Sequence, residues 1–237
     1  MEQRTEEWYG ARLGAVGASQ FERIMTAYNK RWDCGVEAHS HRSQDVAIKC
    51  VEKQKTPSIA HPIPRVEITD TVTKLAAKIA AERLTGEAGH NYQSADMLHG
   101  IATEPEAINA YEWETGNTVT SAGFITLDDT AYIGCSPDGL VGEDGGVEVK
   151  CPIPSTHIGW FVSGDTLPSE HRAQVQGSMW VTGRKWWGFI SYTKVFRPVI
   201  IHVERDEDYI SELADTIRAF DALVTEYTNQ YRIEKDD

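Results

Sequence analysis

Apolar positions recur at helical spacing through Val72, Leu75, Ala76, Ile79 and Ala80, which predicts an amphipathic helix from Thr69 or Asp70 to Leu84, ending near Gly86. A second run, Met97, Leu98, Ile101, Ile108, Tyr111 and Trp113, predicts a helix over Ala95–Thr115 with its apolar face turned to a core. A third, Ile210, Leu213, Ile217, Phe220 and Leu223, predicts a long helix from Asp206 to Tyr231. Shorter helices are expected over Thr5–Leu13, opened by Thr5 as N-cap, over Ala18–Tyr28, and over Glu170–Thr182. Between them lie β-type runs at Thr118–Leu127, Tyr132–Leu140, Trp186–Tyr192 and Pro198–Val203, with Trp160-Phe161 in a linker or short helix. The first two runs, joined at Asp128-Asp129, lead into a third strand as a meander.

That third strand belongs to the stretch on which the chemistry centres, GCSPDGLVGEDGGVEVKCP from Gly134 to Pro152. Two β-like runs, one ending near Val141 and one starting near Val147, flank Gly142-Glu143-Asp144-Gly145-Gly146, whose glycines supply the positive φ angles of a tight hairpin. Strand side chains alternate faces, so Glu148 and Lys150 share one face and Val147 and Val149 the other. Folding back around Asp144 places Asp138 opposite Glu148–Lys150. Two carboxylates buried side by side raise each other's pKa, and a divalent cation is the usual remedy; hard oxygen ligands suit Mg²⁺ or Mn²⁺. A lysine beside such an ion polarises or deprotonates the attacking water, or stabilises charge on a phosphate. On these residues alone, a surface hairpin with solvated acids remains open.

Ser136-Pro137-Asp138-Gly139, nine residues, then Glu148-Val149-Lys150 resembles the PD-(D/E)XK nuclease signature. The SPDG spelling, the Gly-rich turn and Cys151-Pro152 are most similar to the phage lambda-type exonucleases, also called the YqaJ-like viral recombinase family. Two further stretches resemble the same family. Trp8-x-x-x-Arg12-x-Gly14, followed by Ala18-Ser19, is similar to the N-terminal motif in which an arginine and a serine hold the 5′-phosphate of DNA. A guanidinium bonds phosphate in bidentate fashion, which gives the motif its chemistry. Ala173-Gln174-Val175-Gln176, then Ser178-Met179-Trp180, is close to the family's pattern, with Gln174 the first choice and Gln176 the second for a bond to the water or the scissile phosphate.

The resemblance implies an α/β fold with a central mixed β-sheet flanked by helices, a restriction-endonuclease-like core, in one nuclease domain with a variable segment at 29–66. It implies metal binding by Asp138, Glu148 and the backbone carbonyl of Val149, using one or two Mg²⁺ ions with Mn²⁺ as substitute. Lys150 and Gln174 would position the water. On the second predicted helix, Glu104 is the stronger and Glu106 the weaker candidate for a further acid. Met97 matches the position of a wedge between bases, although a buried helix methionine is the favoured reading of that position. The implied activity is 5′→3′ digestion of one strand of linear duplex DNA from a 5′-phosphate end held by Arg12, Ser19 and Ser136, leaving 3′ single strands for recombination by annealing. A homotrimer ring and a single-strand-annealing partner protein are implied as well. A PD-(D/E)XK endonuclease, structure-specific or restriction-type, is the alternative within the same chemistry, and a non-catalytic DNA-binding module the alternative outside it.

Composition changes this picture in one respect. Of 237 residues, 36 are Asp or Glu and 23 Lys or Arg, a formal net charge of −13, which argues against a protein that coats DNA. A nuclease must then concentrate its cations locally. Lys30, Arg31, Arg42, Lys49, Lys53 and Lys55, with Arg65 just beyond, make the polar segment Asn29–Pro64 locally basic, so this segment, read as a loop or insertion with a helical piece near Asp45–Lys53, is the best candidate for a DNA-facing surface, with a solvated loop as the equal alternative. Cys34, His39, His41 and Cys50 in it have a spacing that fits no common Cys/His zinc knuckle. The remaining cysteines, Cys135 and Cys151, flank the hairpin as small apolar fillers. The stretch MEQRTEEWYGARLG has no apolar h-region, no stretch approaches membrane length and the cysteines form no disulfide framework, so a reducing cytoplasm is expected; the family resemblance implies a bacterial host and a phage or prophage gene.

Overall fold

The computed structural model describes residues 3–36, 44–58, 63–89, 94–127, 130–164 and 166–233. Of the positions named above, His39, His41, Arg42, Asp128 and Asp129 lie outside the described residues.

The chain opens with α1 (Glu6–Arg12), capped by the Thr5 hydroxyl, which accepts from the Trp8 N–H at 3.2 Å. A two-residue strand β1 (Val16–Gly17), a 3-10 turn (Ala18–Gln20) and α2 (Phe21–Ala27) follow. The segment expected as a loop is more ordered than that. Strand β2 (Tyr28–Asp33) pairs antiparallel with β3 (Ile63–Ile68) around α3 (Gln44–Glu52). Sequence missed this ribbon because YNKRWD lacks the apolar alternation that marks a strand with one buried face.

Helices α4 (Asp70–Thr85) and α5 (Ala95–Thr115) lie where periodicity places them. Each is capped by a serine or threonine hydroxyl at its start and by a left-handed glycine, Gly86 or Gly116, at its end. The apolar stripe of α4 is buried throughout. That of α5 is not: Thr103, Ala107 and Tyr111 face the core, whereas Met97, Leu98 and Trp113 are exposed.

Strand β4 (Val119–Thr120), β5 (Ile125–Leu127), β6 (Thr130–Cys135), β7 (Gly139–Val141) and β8 (Gly145–Lys150) come next. They do not form one meander. β6 pairs with β5 and, in parallel, with β1; β7 instead joins a five-stranded sheet of order β10-β9-β8-β7-β4. The chain changes sheets at Ser136–Asp138, where Pro137 has no N–H to continue a ladder. After β8 come α6 (Pro154–Val162) and α7 (Ser169–Thr182), and β9 (Trp186–Ser191) then returns parallel to β8, as a helical crossover requires. β10 (Val199–Glu204) and α8 (Glu207–Gln230), capped by Asp206, complete the order.

One apolar cluster joins α2, α4, α7 and α8 beneath β1 and β6. Val147 and Val149 pack with Ala107 and Tyr111 of α5 on one face of β8, while α7 covers Trp187 and Phe189 of the adjoining strand. β8 is thus central and clad by helices, the arrangement in which a strand carries charged side chains only for a purpose.

The hairpin glycines divide their work differently from the expectation. Only Gly142 has a positive φ, 53°. Gly145 and Gly146 are strand residues, and a Cβ on them would lie 2.1 Å from the Trp186 ring or 2.4 Å from the fully buried Trp187 ring. Gly146→Ala is therefore expected to destabilise the fold by about 1–3 kcal/mol, as overpacking does, read as a lower melting temperature; unchanged melting would contradict this packing role.

Candidate active site

Strand alternation sends Glu148 and Lys150 to the same face of β8, and α7 brings Gln174 over that face. Lys150 Nζ donates to Glu148 Oε1 at 2.5 Å and to Gln174 Oε1 at 3.3 Å, and Gln174 Nε2 donates to the same Glu148 oxygen at 2.6 Å. The amide thus serves as acceptor to the ammonium and donor to the carboxylate, and adds no charge.

Asp138 stands one residue before β7, whose last paired position is Gly139 opposite Val147. Beyond it the two strands part. Asp138 Oδ2 accepts the Val149 N–H at 2.7 Å, supplying the bond the ladder no longer makes. The N–H and C=O of one strand residue point to the same edge, so the Val149 carbonyl is directed toward the Asp138 side. Hard oxygens from Asp138 and Val149 therefore gather where the strands diverge, with Glu148 next to them on β8, a donor set that fits a small divalent cation.

The electrostatics carry the same message. Burial, and then repulsion from Glu148 with a smaller contribution from Glu104, pushes the Asp138 carboxyl well above the usual carboxylate range. Burial depresses the Lys150 ammonium, but attraction by Glu148 and Asp138 outweighs it and holds the pKa above that of an ordinary lysine. Lys150 is accordingly a charged donor here. Cys135, pushed up to about 12 chiefly by burial, and Cys151, pushed up to about 11 by burial and then by Glu104, remain neutral thiols.

Two of the paired candidates separate cleanly. Glu104, on the turn of α5 nearest the site, is felt by Asp138 and ion-paired to Arg4, whereas Glu106 pairs with exposed Lys194 at 2.7 Å. Gln176 is not a site residue: it is buried, donates to Glu204 O at 2.8 Å and accepts from Asp206 N–H at 2.9 Å, locking the β10–α8 turn. Helical spacing accounts for this, since residues two apart on a helix point away from each other.

The N-terminal motif folds against the hairpin. The Arg12 guanidinium stacks 4.1 Å from the Trp8 ring centroid, and the Trp8 indole N–H donates to Ser136 Oγ at 3.1 Å, so the tryptophan joins two residues 124 positions apart in sequence. Burial lowers the Arg12 pKa while leaving the group cationic, and among the described residues no carboxylate pairs with it. A partly desolvated cation of this kind favours an anionic ligand. Ser19 sits exposed in the 3-10 turn. Gly14 O accepts from Arg83 Nε at 2.8 Å, anchoring the turn after Arg12 to α4.

Beside this motif lies a cavity of about 320 Å³ lined by Arg4, Trp8, Arg12, Lys78, Met97 and Phe124 among others. Met97 is 55% exposed, so the buried-methionine alternative does not hold; the side chain projects from the first turn of α5, where the helix has left the core. Sequence reasoning missed Arg4 and treated Trp8 only as a motif letter. Trp8 and Arg12 at i and i+4 on one helix did carry a signal for stacking, whereas a lone arginine near the start of the chain carried none.

A mixed sheet flanked by helices, with two acids, a lysine and a glutamine at the opening of a hairpin, is the architecture of the restriction-endonuclease-like, PD-(D/E)XK class. The chain belongs to the YqaJ-like viral recombinase domain family, whose pattern matches residues 7–185. Among solved structures it is similar to an alkaline exonuclease, LHK-Exo, from Laribacter hongkongensis, determined alone and in complex with dAMP. Each is 30% identical, covers 95% of both chains and has a TM-score of 0.72. A phage related exonuclease from Haemophilus somnus 129PT, 16% identical over 91% of this chain and 94% of its own, shares the fold with a TM-score of 0.53. No curated protein sequence matches the chain.

Asp138 yields a stability prediction with a defined sign. A carboxyl whose folded pKa is raised binds its proton more tightly in the folded state, so stability is lost as pH rises from the ordinary carboxylate value through the raised one. In EDTA, Asp138→Asn, which keeps an oxygen for the Val149 N–H, is expected to raise the melting temperature by a few degrees at pH 8, each kcal/mol being worth about 2–4 °C at this length. At pH 4 the gain should shrink. An equal shift at both pH values would contradict the burial of charge at Asp138.

Proposed function

We propose that the chain is a divalent-metal-dependent DNA exonuclease that removes nucleotides 5′→3′ from one strand of linear duplex DNA, starting at a 5′-phosphate. The observation that carries this reading is the convergence of Asp138, Glu148, Lys150 and Gln174 where β7 and β8 part, in a chain of this family. The similarity to an alkaline exonuclease supports the substrate class.

Asp138, Glu148 and the Val149 carbonyl would hold Mg²⁺, with Mn²⁺ as substitute, and Glu104 would be the acid for a further contact. The bound cation supplies positive charge that offsets the phosphate oxygens and lowers the pKa of water. Gln174 then orients the water oxygen with its amide, and Lys150, already a charged donor, offsets negative charge as it builds on the phosphoryl oxygens. Water oxygen bonds to phosphorus as the bond to the 3′ oxygen breaks, and that oxygen takes up a proton. The first nucleotide leaves with its own 5′-phosphate, and the next nucleotide now carries one. Each round thereby regenerates the end that Arg12, Ser19 and Ser136 are proposed to hold. The 3′ single strand left behind is the substrate for annealing-type recombination, with a single-strand-annealing protein as partner and a homotrimeric ring as the assembly that keeps the enzyme on DNA.

Three substrates test the reading: linear duplex with 5′-phosphate ends, the same duplex with 5′-hydroxyl ends, and a closed circle, each with Mg²⁺ or EDTA. Mg²⁺-dependent loss from phosphorylated ends alone is the expected result. Cutting of the circle would move the protein to an endonuclease with the same chemistry, and no cleavage of any substrate would contradict catalysis. Lys150→Ala is expected to lower turnover by at least about 10²-fold, the scale of losing one transition-state charge partner, while duplex binding in Ca²⁺ stays within about twofold. Loss of binding with unchanged turnover of bound DNA would reverse the role given to Lys150.

A further inference from the structure

Ahead of the family motif, Gln3 and Arg4 lie across the site. Gln3 Nε2 donates to Pro137 O at 2.6 Å, tying the segment to the residue before Asp138. Arg4 reaches Glu104 on α5 through an Nη2–Oε2 ion pair, 100 positions away in sequence, and also lines the cavity that holds Trp8 and Arg12. Its side chain remains 37% exposed despite that pairing. Its backbone is unusual as well: φ is 66°, the one positive value at a non-glycine among the described residues. A left-handed conformation at a residue without glycine's freedom costs stability and persists where the surroundings over-determine it.

The charges around it fall into two groups. Asp138, Glu148 and Glu104 face Lys150 and Arg4, while Arg12 stands in the adjoining cavity with Lys78 and its ion-pair partner Glu82. Arg4 is thus the cation that links the acidic hairpin edge to the cavity holding Arg12. An arginine fork bonds carboxylate and phosphate with the same geometry, so what Glu104 holds in position is a group preformed for phosphate.

We propose that Arg4 is a DNA phosphate-binding residue, held in register by Glu104 and handed to the 5′-terminal phosphate in the cavity that it lines together with Arg12. The inference rests on the nuclease reading, and deepens it by adding a contact at a position that the family-matched residues 7–185 do not include. When the phosphate arrives, Arg4 exchanges a carboxylate partner for a phosphate one.

The test measures binding without turnover, with the full chain and a 5′-phosphorylated duplex in Ca²⁺, by fluorescence anisotropy over a salt series. Arg4→Ala is expected to weaken binding about tenfold, the scale of a charge-assisted bond, and to lower the salt slope by about one. Arg4→Lys should recover the salt slope but not the full affinity, because an ammonium lacks the fork. Arg4→Gly separates binding from folding: relief of the left-handed backbone should keep or raise the melting temperature while the affinity falls as in Arg4→Ala. Unchanged affinity in both Arg4→Ala and Arg4→Gly would overturn the assignment of Arg4 alone, and a wild-type chain that neither binds nor digests duplex ends would overturn the nuclease reading beneath it.

Discussion

The structure turns on two carboxylates held close together where a hairpin opens. Asp138 is fixed by the Val149 N–H and Glu148 by Lys150 and Gln174, so neither can move away from the repulsion that burial creates. Their confinement follows from backbone events nearby. Pro137 ends β6 and lets the chain cross to another sheet, and the three-residue strand β7 stops pairing at Gly139, leaving the β8 edge open beside the acids. Two helices, α5 and α7, then cover the two faces of the sheet, α5 through Ala107 and Tyr111. A lysine covers only part of this charge, and the oxygens that remain suit a hard cation.

A protein with a net charge of −13 engages an anionic polymer only through a local cluster of cations. Arg4, Arg12 and Lys78 meet at one cavity, next to the flat rings of Trp8 and Phe124 and the exposed Met97. A guanidinium fork matches phosphate, and an exposed apolar side chain such as Met97 can pack on a base, so this cavity has the chemistry that the proposed function asks of it.

Much of this was legible from residue order. Helical periodicity located α4, α5 and α8 to within a residue or two, because caps such as Thr69, Ser94 and Asp206 and stops such as Gly86 and Gly116 agree with the apolar stripe. Period-two alternation put Glu148 and Lys150 on one face, and the family spelling chose Gln174, which contacts both, over Gln176, which bonds Glu204 and Asp206. Other features had no local signature. The strand β2 has no period-two apolar pattern; the sheet switch at Pro137 depends on which strand lies near in space; and Gly145 and Gly146 owe their identity to Trp186 and Trp187, some 40 residues later. Arg4 was invisible for the same reason, its partner being on α5. The general rule is that contacts between distant segments are silent in sequence until a fold brings them together.

The central claim is that the open edge of β8 is a divalent-cation site built by Asp138 and Glu148. Calorimetric titration of Mn²⁺ into the DNA-free protein tests it most directly, comparing wild type with Asp138→Asn and Glu148→Gln. The account predicts saturable binding by wild type and at least about tenfold weaker binding by each variant, in line with the loss of a charged ligand. Equal Mn²⁺ affinity in all three proteins would contradict it.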